Sequence, residues 1–433
     1  MSLPEKQTAV RWYPPSYDIR VESAPVSDIL DPDDAIVKVT LAGLCGSDLH
    51  VYRGSGLTKD HTSGHEFLGE VVKLGSNFGK NVSGRPALYS TLKVGDKVVA
   101  PFTVNCGECH VCRLGYTGRC PNGLLFGSPL LEGGQAQFVR VPKAGGTLYN
   151  LSDPQAWSLS VSDKNTITAI SSIADSSLLL LSDILPTGVF AALQTLNHPK
   201  VQPMLTGKSW PNSCLQMTSH MPLAQDPLLP EDRMLNLAIV GLGPVGICAA
   251  VSLLDMLARN DLPFRVVAID PNESRRRKMV AVYNVIPKED RGKGEFVVQD
   301  IEEAKETMKG WTDGIGATAV LEIVGNNSAL TLAYDLVRAF GAIISVGVHG
   351  SKEMPFKGVQ LYNKNVSFDF GRCPARSMFP LAVEVLVRRQ DVFGKVGTES
   401  SLIDKIVGFD EAKQSYEDFD KGRIGKVLFD PWK

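Results

Sequence analysis

Four cysteines fall within one short stretch of the sequence, at Cys106, Cys109, Cys112 and Cys120. Two-residue gaps bring successive thiolates round a tight turn, and the longer return to Cys120 supplies a fourth corner. Four soft sulfurs so arranged suit Zn2+, which has no d-electron preference that a loop must satisfy, and such a closed site braces a fold. A second group of ligand-type side chains precedes it. Cys45 stands in Leu44-Cys-Gly-Ser-Asp-Leu-His50, and His65 and Glu66 stand in Gly64-His-Glu66. Sulfur, imidazole and carboxylate make the mixed set that catalytic zinc uses, with one position left for water or substrate. The separation of 20 positions from Cys45 to His65 specifies little alone. An isolated Cys is more often a small buried hydrophobe, and an isolated His a packing residue.

The third motif is Gly241-Leu-Gly-Pro-Val-Gly246, placed between an apolar strand and an apolar helix, the context a dinucleotide fingerprint requires. Gly241 permits the turn, Gly243 lets backbone approach the pyrophosphate, and Gly246 allows close packing of helix on sheet. Pro244 and Val245 complete this cofactor set by opening the helix whose N-terminus faces the phosphates. Asp270 ends the next strand, 24 residues beyond Gly246. A carboxylate there can accept from both ribose hydroxyls and would repel a 2′-phosphate, which favours NAD over NADP. Arg275, Arg276 and Arg277 cut the other way if they neutralise a phosphate; otherwise they solvate a helix, with one against the adenosine end. Glu322 and the segment Ser345-Val346-Gly-Val348-His349 end later strands, where they either line the ribose and nicotinamide side or pack the sheet.

Joined together, these motifs describe hydride transfer. Zinc lowers the pKa of an alcohol, and the carbinol hydride then passes to C4 of the nicotinamide. Ser47 is the candidate acceptor of the hydroxyl proton, passing it through the cofactor ribose to His50, whose ordinary pKa near 6.5 suits that end of a relay. The bland readings are backbone capping for Ser47 and a surface helix position for His50.

The elements that must hold these residues divide the chain by texture. To about residue 150, short β-rich runs such as 35–41, 67–74 and 96–100 alternate with turn residues, as in a partly open barrel or sandwich. A helix is expected over 188–196, and 199–233 is a Pro-, Ser- and Met-containing stretch without periodicity. Parallel-sheet grammar follows: strands near 237–240, 265–269, 317–323 and 342–348, with helices at 244–259, from 275 onward, and at 327–340. The expected domains are 1–185, 186–370 with an insertion near 199–233, and 371–433 returning to the first.

Composition fits this division. The chain's 433 residues exceed one ordinary core, while 43 % hydrophobic and 21 % charged residues are usual for a soluble protein. A formal charge of -2 gives no general attraction to nucleic acid or anionic membrane, so neither is an expected partner. Eight cysteines, half of them at metal spacing, do not make a disulfide scaffold. No secretory pattern opens the sequence and no apolar run reaches membrane-spanning length, so the expected compartment is the cytoplasm.

The ordered set Cys-Gly-Ser-Asp-Leu-His at 45–50, Gly-His-Glu-Phe-Leu-Gly at 64–69, Val-Gly-Asp-Lys-Val at 94–98, the four-cysteine loop and the 241–246 fingerprint resembles the zinc-dependent medium-chain alcohol dehydrogenases over nearly the whole chain. The resemblance implies a GroES-like β-rich catalytic domain and a doubly wound α/β Rossmann domain, with a cleft between them. It also implies two zinc ions per subunit, NAD(H), a small alcohol, aldehyde or ketone substrate, and a homodimer or homotetramer. Ser182-Asp183-Ile-Leu-Pro-Thr-Gly188 looks most like the formaldehyde dehydrogenase-like branch. That likeness implies Asp183 as a third ligand beside Cys45 and His65, Glu66 as their near partner, and Thr187 close to the nicotinamide. The extra polar sequence at 151–175 and the long 199–233 segment depart from the family pattern. Within the enzyme class, formaldehyde and polyol substrates remain open. A dinucleotide-binding reductase without catalytic metal is a rival enzyme reading; outside the enzyme class stands a zinc-scaffolded interaction protein, which leaves Gly241–Gly246 and Asp270 unexplained.

Overall fold

The computed structural model describes residues 3–54, 56–153, 169–214 and 227–433. The chain forms two compact units, Met1–Pro186 with Pro374–Lys433, and Thr187–Cys373.

The first unit is built on a seven-stranded sheet whose strands run, in spatial order, Ile403–Val407, Lys426–Phe429, Ala35–Leu44, Phe67–Leu74, Lys97–Ala100 and Tyr149–Asn150, with Phe138–Val141 also pairing Ala35–Leu44. A smaller sheet joins Asp18–Pro25, Lys6–Tyr13 and His61–Thr62. Strand Ala35–Leu44 alternates buried and exposed residues in its middle and is buried throughout its last four. The change marks where neighbours cover both faces, and it is there that the strand delivers Cys45. Its antiparallel pairing to Phe67–Leu74 matches Ala42 with Phe67, so the end of one strand and the start of the other lie side by side. The core beneath is apolar and closed: Val37, Val39, Phe67, Val98 and Phe126 are buried together.

The second unit holds a six-stranded sheet in the order Glu295–Gln299, Phe264–Ile269, Leu235–Val240, Ala317–Glu322, Val337–Ser345, Ser367–Phe370, every pair parallel. In chain order this is 3-2-1-4-5-6, the doubly wound arrangement that binds dinucleotides where the strand order reverses, as the alternating pattern had led one to expect. Long apolar runs make these strands because both faces are covered; Leu237, Val266, Val267 and Val320 are fully buried.

Three local expectations need correction. The helix expected over 327–340 ends at Leu336, and Val337–Ser345 is strand. Val337 is β-branched and pairs with Ala317, while Phe340 takes a positive φ of 53° beside Gly341, an irregularity that no helix would tolerate. The last strand residue is consequently Ser345, which leaves Val346 and Val348 in the loop beyond it. The helix expected from Gly188 begins at Ile184 with Pro186 inside its first turn, where a missing N–H costs nothing. In the 199–233 stretch the described residues hold a short helix, Gln202–Thr206, and the 3-10 turns Asn212–Cys214 and Pro230–Arg233. Residues 215–226 of that stretch, and 154–168 of the polar segment before Asp183, lie outside the described residues. No single described helix is long and apolar enough to cross a membrane.

Candidate active site

Two groups of side chains in the first unit could each hold a metal ion. In the loop group, Cys106, Cys109, Cys112 and Cys120 are brought together by a short helix, His110–Arg113, capped by Cys109, and a 3-10 turn, Thr117–Arg119. Backbone N–H groups point at the sulfurs: Cys109 N donates to Cys106 Sγ at 3.3 Å, Cys112 N to Cys109 Sγ at 3.4 Å, and Cys106 N to Cys120 Sγ at 3.4 Å. Burial pushes the Cys106 thiol up, yet the N–H groups of Glu108 and Cys109 hold it at about 7. Such donors favour thiolates, the form that binds metal. Cys106 Sγ and Cys120 Sγ are 3.6 Å apart. That is close to the roughly 3.8 Å between corners of a tetrahedron with zinc–sulfur bonds of about 2.3 Å. The donor set fits zinc.

The second group draws on distant parts of the chain. Ligand atoms of Cys45, His65, Glu66 and Asp183 all lie within 4.8 Å of one another, and all four residues are buried. The strand pair described above delivers Cys45, His65 and Glu66; Gly43 N donates to Glu66 O at 2.9 Å and fastens the two ends. Asp183 follows the 3-10 turn Leu180–Ser182, and Ser182 Oγ donates to Ala100 O at 2.5 Å, which ties the turn to the next strand. His65 Nε2 is 3.2 Å from Asp183 Oδ2, and Cys45 Sγ is 3.7 Å from the same oxygen.

Charge explains what this group is suited to hold. Burial and the Glu66 carboxylate push the Cys45 thiol up, with His65 opposing. Burial alone would depress His65, but Asp48 and Asp183 hold its imidazolium well above the ordinary histidine value. The thiol, the imidazole and the Asp183 carboxylate thus gather in a dry site with Glu66, whose charge a buried lysine balances; a divalent cation there would be the partner that lets thiol and imidazole bind deprotonated. Glu66 Oε1 is buried without a hydrogen-bond partner, a further polar atom facing inward unspent. Sulfur, imidazole and carboxylate oxygen are the donor set of catalytic zinc, so the residues fit the metal.

Two residues around this cluster were not assigned a role from sequence. Asp48, third residue of helix Gly46–Tyr52, accepts from Cys45 N at 2.9 Å through Oδ2 and faces His65 Nδ1 at 3.2 Å through Oδ1. One carboxylate therefore caps the helix and fixes the tautomer that turns Nε2 toward the cluster. The Cys-x-x-Asp spacing, with an acid at the third helical position, carried that signal. Lys426 carried none. It is 1 % exposed, pairs with Glu66 Oε2 across 360 residues of sequence, and donates to Leu44 O at 3.1 Å. Burial works against its ammonium, but Glu66 and Cys45 more than offset that and raise its pKa. A Cβ on Gly43 would lie 1.9 Å from Glu66 Oε2, so only glycine leaves room for this carboxylate. Ser47 is half-buried at the second helical position and His50 is exposed in the last turn.

In the second unit the fingerprint has the local geometry its spacing called for. Gly241 has φ of 99°, and a Cβ on Gly246 would lie 1.9 Å from Gly241 O, so helix Pro244–Arg259 can pack against the turn only through glycine. A Cβ on Gly243 would meet no protein atom within 4 Å; the space there is open for a pyrophosphate at the N-terminus of the helix that Pro244 and Val245 begin. Asp270 accepts from Leu242 N at 2.9 Å and Asn272 N at 2.8 Å, which aims its carboxylate at the glycine turn. Arg275 Nη1 stands 3.5 Å from Asp270 Oδ2. Arg276 donates to Asp270 O, and Arg277 pairs with Glu273 on the helix surface. Thr187 is a buried residue of helix Ile184–Asn197; Val346 is buried and Val348 exposed at the carboxyl end of the sheet.

Comparison with known proteins bears on both units. Residues 31–153 match the model of the alcohol dehydrogenase GroES-like domain, and residues 244–388 that of zinc-binding dehydrogenases. Zinc-type alcohol dehydrogenase B of Aspergillus flavus is 33 % identical over 99 % of this chain and 82 % of its own length. A medium chain reductase/dehydrogenase of Acremonium is 34 % identical over 83 % of this chain and 99 % of its own. Among solved structures, an alcohol dehydrogenase from Thermus superposes with a TM-score of 0.70 at 24 % identity, covering 98 % of this chain and 99 % of its own, which speaks for the fold.

Proposed function

The chain belongs to the zinc-dependent medium-chain alcohol dehydrogenases, oxidoreductases that act on alcohol or carbonyl compounds with NAD(H), and from that premise we propose how its residues divide the work. Cys45, His65 and Asp183 hold a catalytic zinc, and Cys106, Cys109, Cys112 and Cys120 hold a structural one. The observation that carries this reading is the convergence of Cys45, His65, Glu66 and Asp183 ligand atoms within 4.8 Å in a buried site.

Zinc held there would supply a Lewis acid for an alcohol or carbonyl oxygen, and bound NAD(H) would supply the hydride couple. The remaining tasks fall to the chain. Asp48 orients the His65 ring. Glu66, paired with Lys426, keeps a carboxylate beside the three ligands and restrains charge in the dry site. Ser47, one residue before Asp48 on the same short helix, takes the substrate hydroxyl proton while giving up its own, and His50, exposed in the last turn, is the end of the relay that releases a proton to water. Gly241, Gly243, Pro244, Val245 and Gly246 cradle the pyrophosphate, Asp270 accepts from the adenosine ribose hydroxyls, and Arg275 lies along the adenosine end. Thr187, Val346 and Val348 border the nicotinamide side.

The carboxylate at Asp183 supports the formaldehyde dehydrogenase-like branch within the family; the substrate reading is a primary or secondary alcohol/carbonyl couple, with formaldehyde and polyols as its alternatives. Assembly as a homodimer or homotetramer belongs to the same reading. The test is NAD(P)H-linked turnover by the purified protein over a panel of alcohols, aldehydes and polyols, with zinc counted on the same sample. Two zinc ions per chain and NAD-dependent turnover are expected. One zinc without turnover would leave a braced fold only, and none would overturn both sites.

A further inference from the structure

Glu322 ends the central strand Ala317–Glu322 and is fully buried. Its carboxylate is a hub. Oε1 accepts from Val324 N at 2.9 Å and Gly325 N at 2.7 Å; Oε2 accepts from Ser345 Oγ at 2.7 Å and lies 3.1 Å from His349 Nε2. Ser345 Oγ and His349 Nε2 are themselves 2.8 Å apart. The imidazole also packs on Phe370 of the edge strand, ring centres 4.5 Å apart. A single carboxylate thus joins the loop after one strand to the loop after its neighbour, and His349 closes the second loop onto it.

These loops continue the glycine turn. A Cβ on Gly241 would strike Val324 Cγ2 at 2.6 Å, and one on Gly347 would strike Gly325 N at 2.2 Å. The turn at Gly241, the loop at 323–325 and the loop at 346–349 therefore form one continuous shelf along the carboxyl ends of adjacent strands. In open α/β sheets that edge is where ligands bind. The hub fastens two of these three segments from beneath, through Val324 N and Gly325 N on one side and Ser345 and His349 on the other.

We propose that Glu322, Ser345 and His349 form a positioning triad for NAD(H): His349 fixes the loop 346–348 against the cofactor without touching reacting atoms, and so sets cofactor affinity rather than chemistry. This rests on the reading of the same edge as the NAD(H) site. The test is NADH binding, followed by fluorescence, together with steady-state kinetics on the full chain. His349→Phe keeps the packing on Phe370 but removes the contacts of Nε2; it should weaken NADH binding and raise KM for NAD by about five- to tenfold, the size of one ordinary net hydrogen bond, since the contact acts on the cofactor only through the loop. Its kcat, zinc content and unfolding midpoint should stay near those of the parent. His349→Gln, whose amide nitrogen can take the place of Nε2, should restore binding. Ser345→Ala should give a smaller loss in the same direction, and it decides the matter if His349→Phe does not fold. Parent-like NADH affinity in both variants would overturn the triad while leaving the NAD(H) site intact. A loss that Gln does not rescue and that tracks a lowered midpoint would reduce it to packing, which also overturns it. A parent protein that binds no NADH would overturn the site reading itself, and the triad with it.

Discussion

The two ligand clusters of the first unit are built by opposite means. The loop cluster lies wholly within Cys106–Cys120, and its own backbone N–H groups prepare the sulfurs. The mixed cluster takes Cys45 and His65 from facing strand ends, Asp183 from a turn 118 residues beyond His65, and Lys426 from a C-terminal strand. The lesson is one of control. A site made by one loop is closed and uniform, good for bracing. A site assembled from several elements can be given unequal ligands, a spare carboxylate and a separate orienting group, which is what chemistry needs.

The largest expected effect breaks this contrast on the mixed side. Cys45→Ala should lower turnover by more than about a thousandfold, since Lewis-acid stabilisation of the reacting oxygen is lost. NADH binding and the unfolding midpoint should change little; near-normal turnover would remove the cluster from catalysis. Cys109→Ala should do the reverse in kind. One zinc is lost, and the unfolding midpoint falls by roughly 5–10 °C, since a structural metal contributes directly to folding. A protein equally stable and fully loaded with zinc would mean that the loop does not bind metal. Asp48→Asn is the finest probe. It keeps the shape but alters the group facing His65 Nδ1, and zinc affinity at the mixed site should drop about ten- to a hundredfold while the loop zinc is unaffected. Competition with a chromogenic chelator would read both sites at once, and a uniform release curve would erase the distinction.

How much of this was legible varied with the distance over which residues must meet. The loop cysteines, the glycine fingerprint and Asp270 were plain, because each lies in a short segment whose spacing is itself the geometry. The Rossmann sheet was plain for a related reason: strands buried on both faces leave uninterrupted apolar runs, as at 235–240 and 264–269. The boundary at Leu336 was not, since Val337 becomes strand only by pairing with Ala317, and the ladder resumes at Ala342. Asp48 was half-legible through its capping position. Lys426 was not legible at all; nothing near it in the chain marks a lysine destined to be buried.

The sequence by itself determined which chemistry was on offer: four sulfurs for one metal, a mixed donor set for another, and a glycine turn for a dinucleotide. These are local facts, set by covalent spacing and by the backbone that each short segment can adopt. Tertiary structure alone decided that Glu66 would share its pocket with a buried ammonium, that Asp48 would turn the imidazole, and that one carboxylate, Glu322, would tie two loops into a shelf. Such pairings arise when separate strands are brought into register, and the free energy that holds a charge in a dry interior exists only once its partner has arrived.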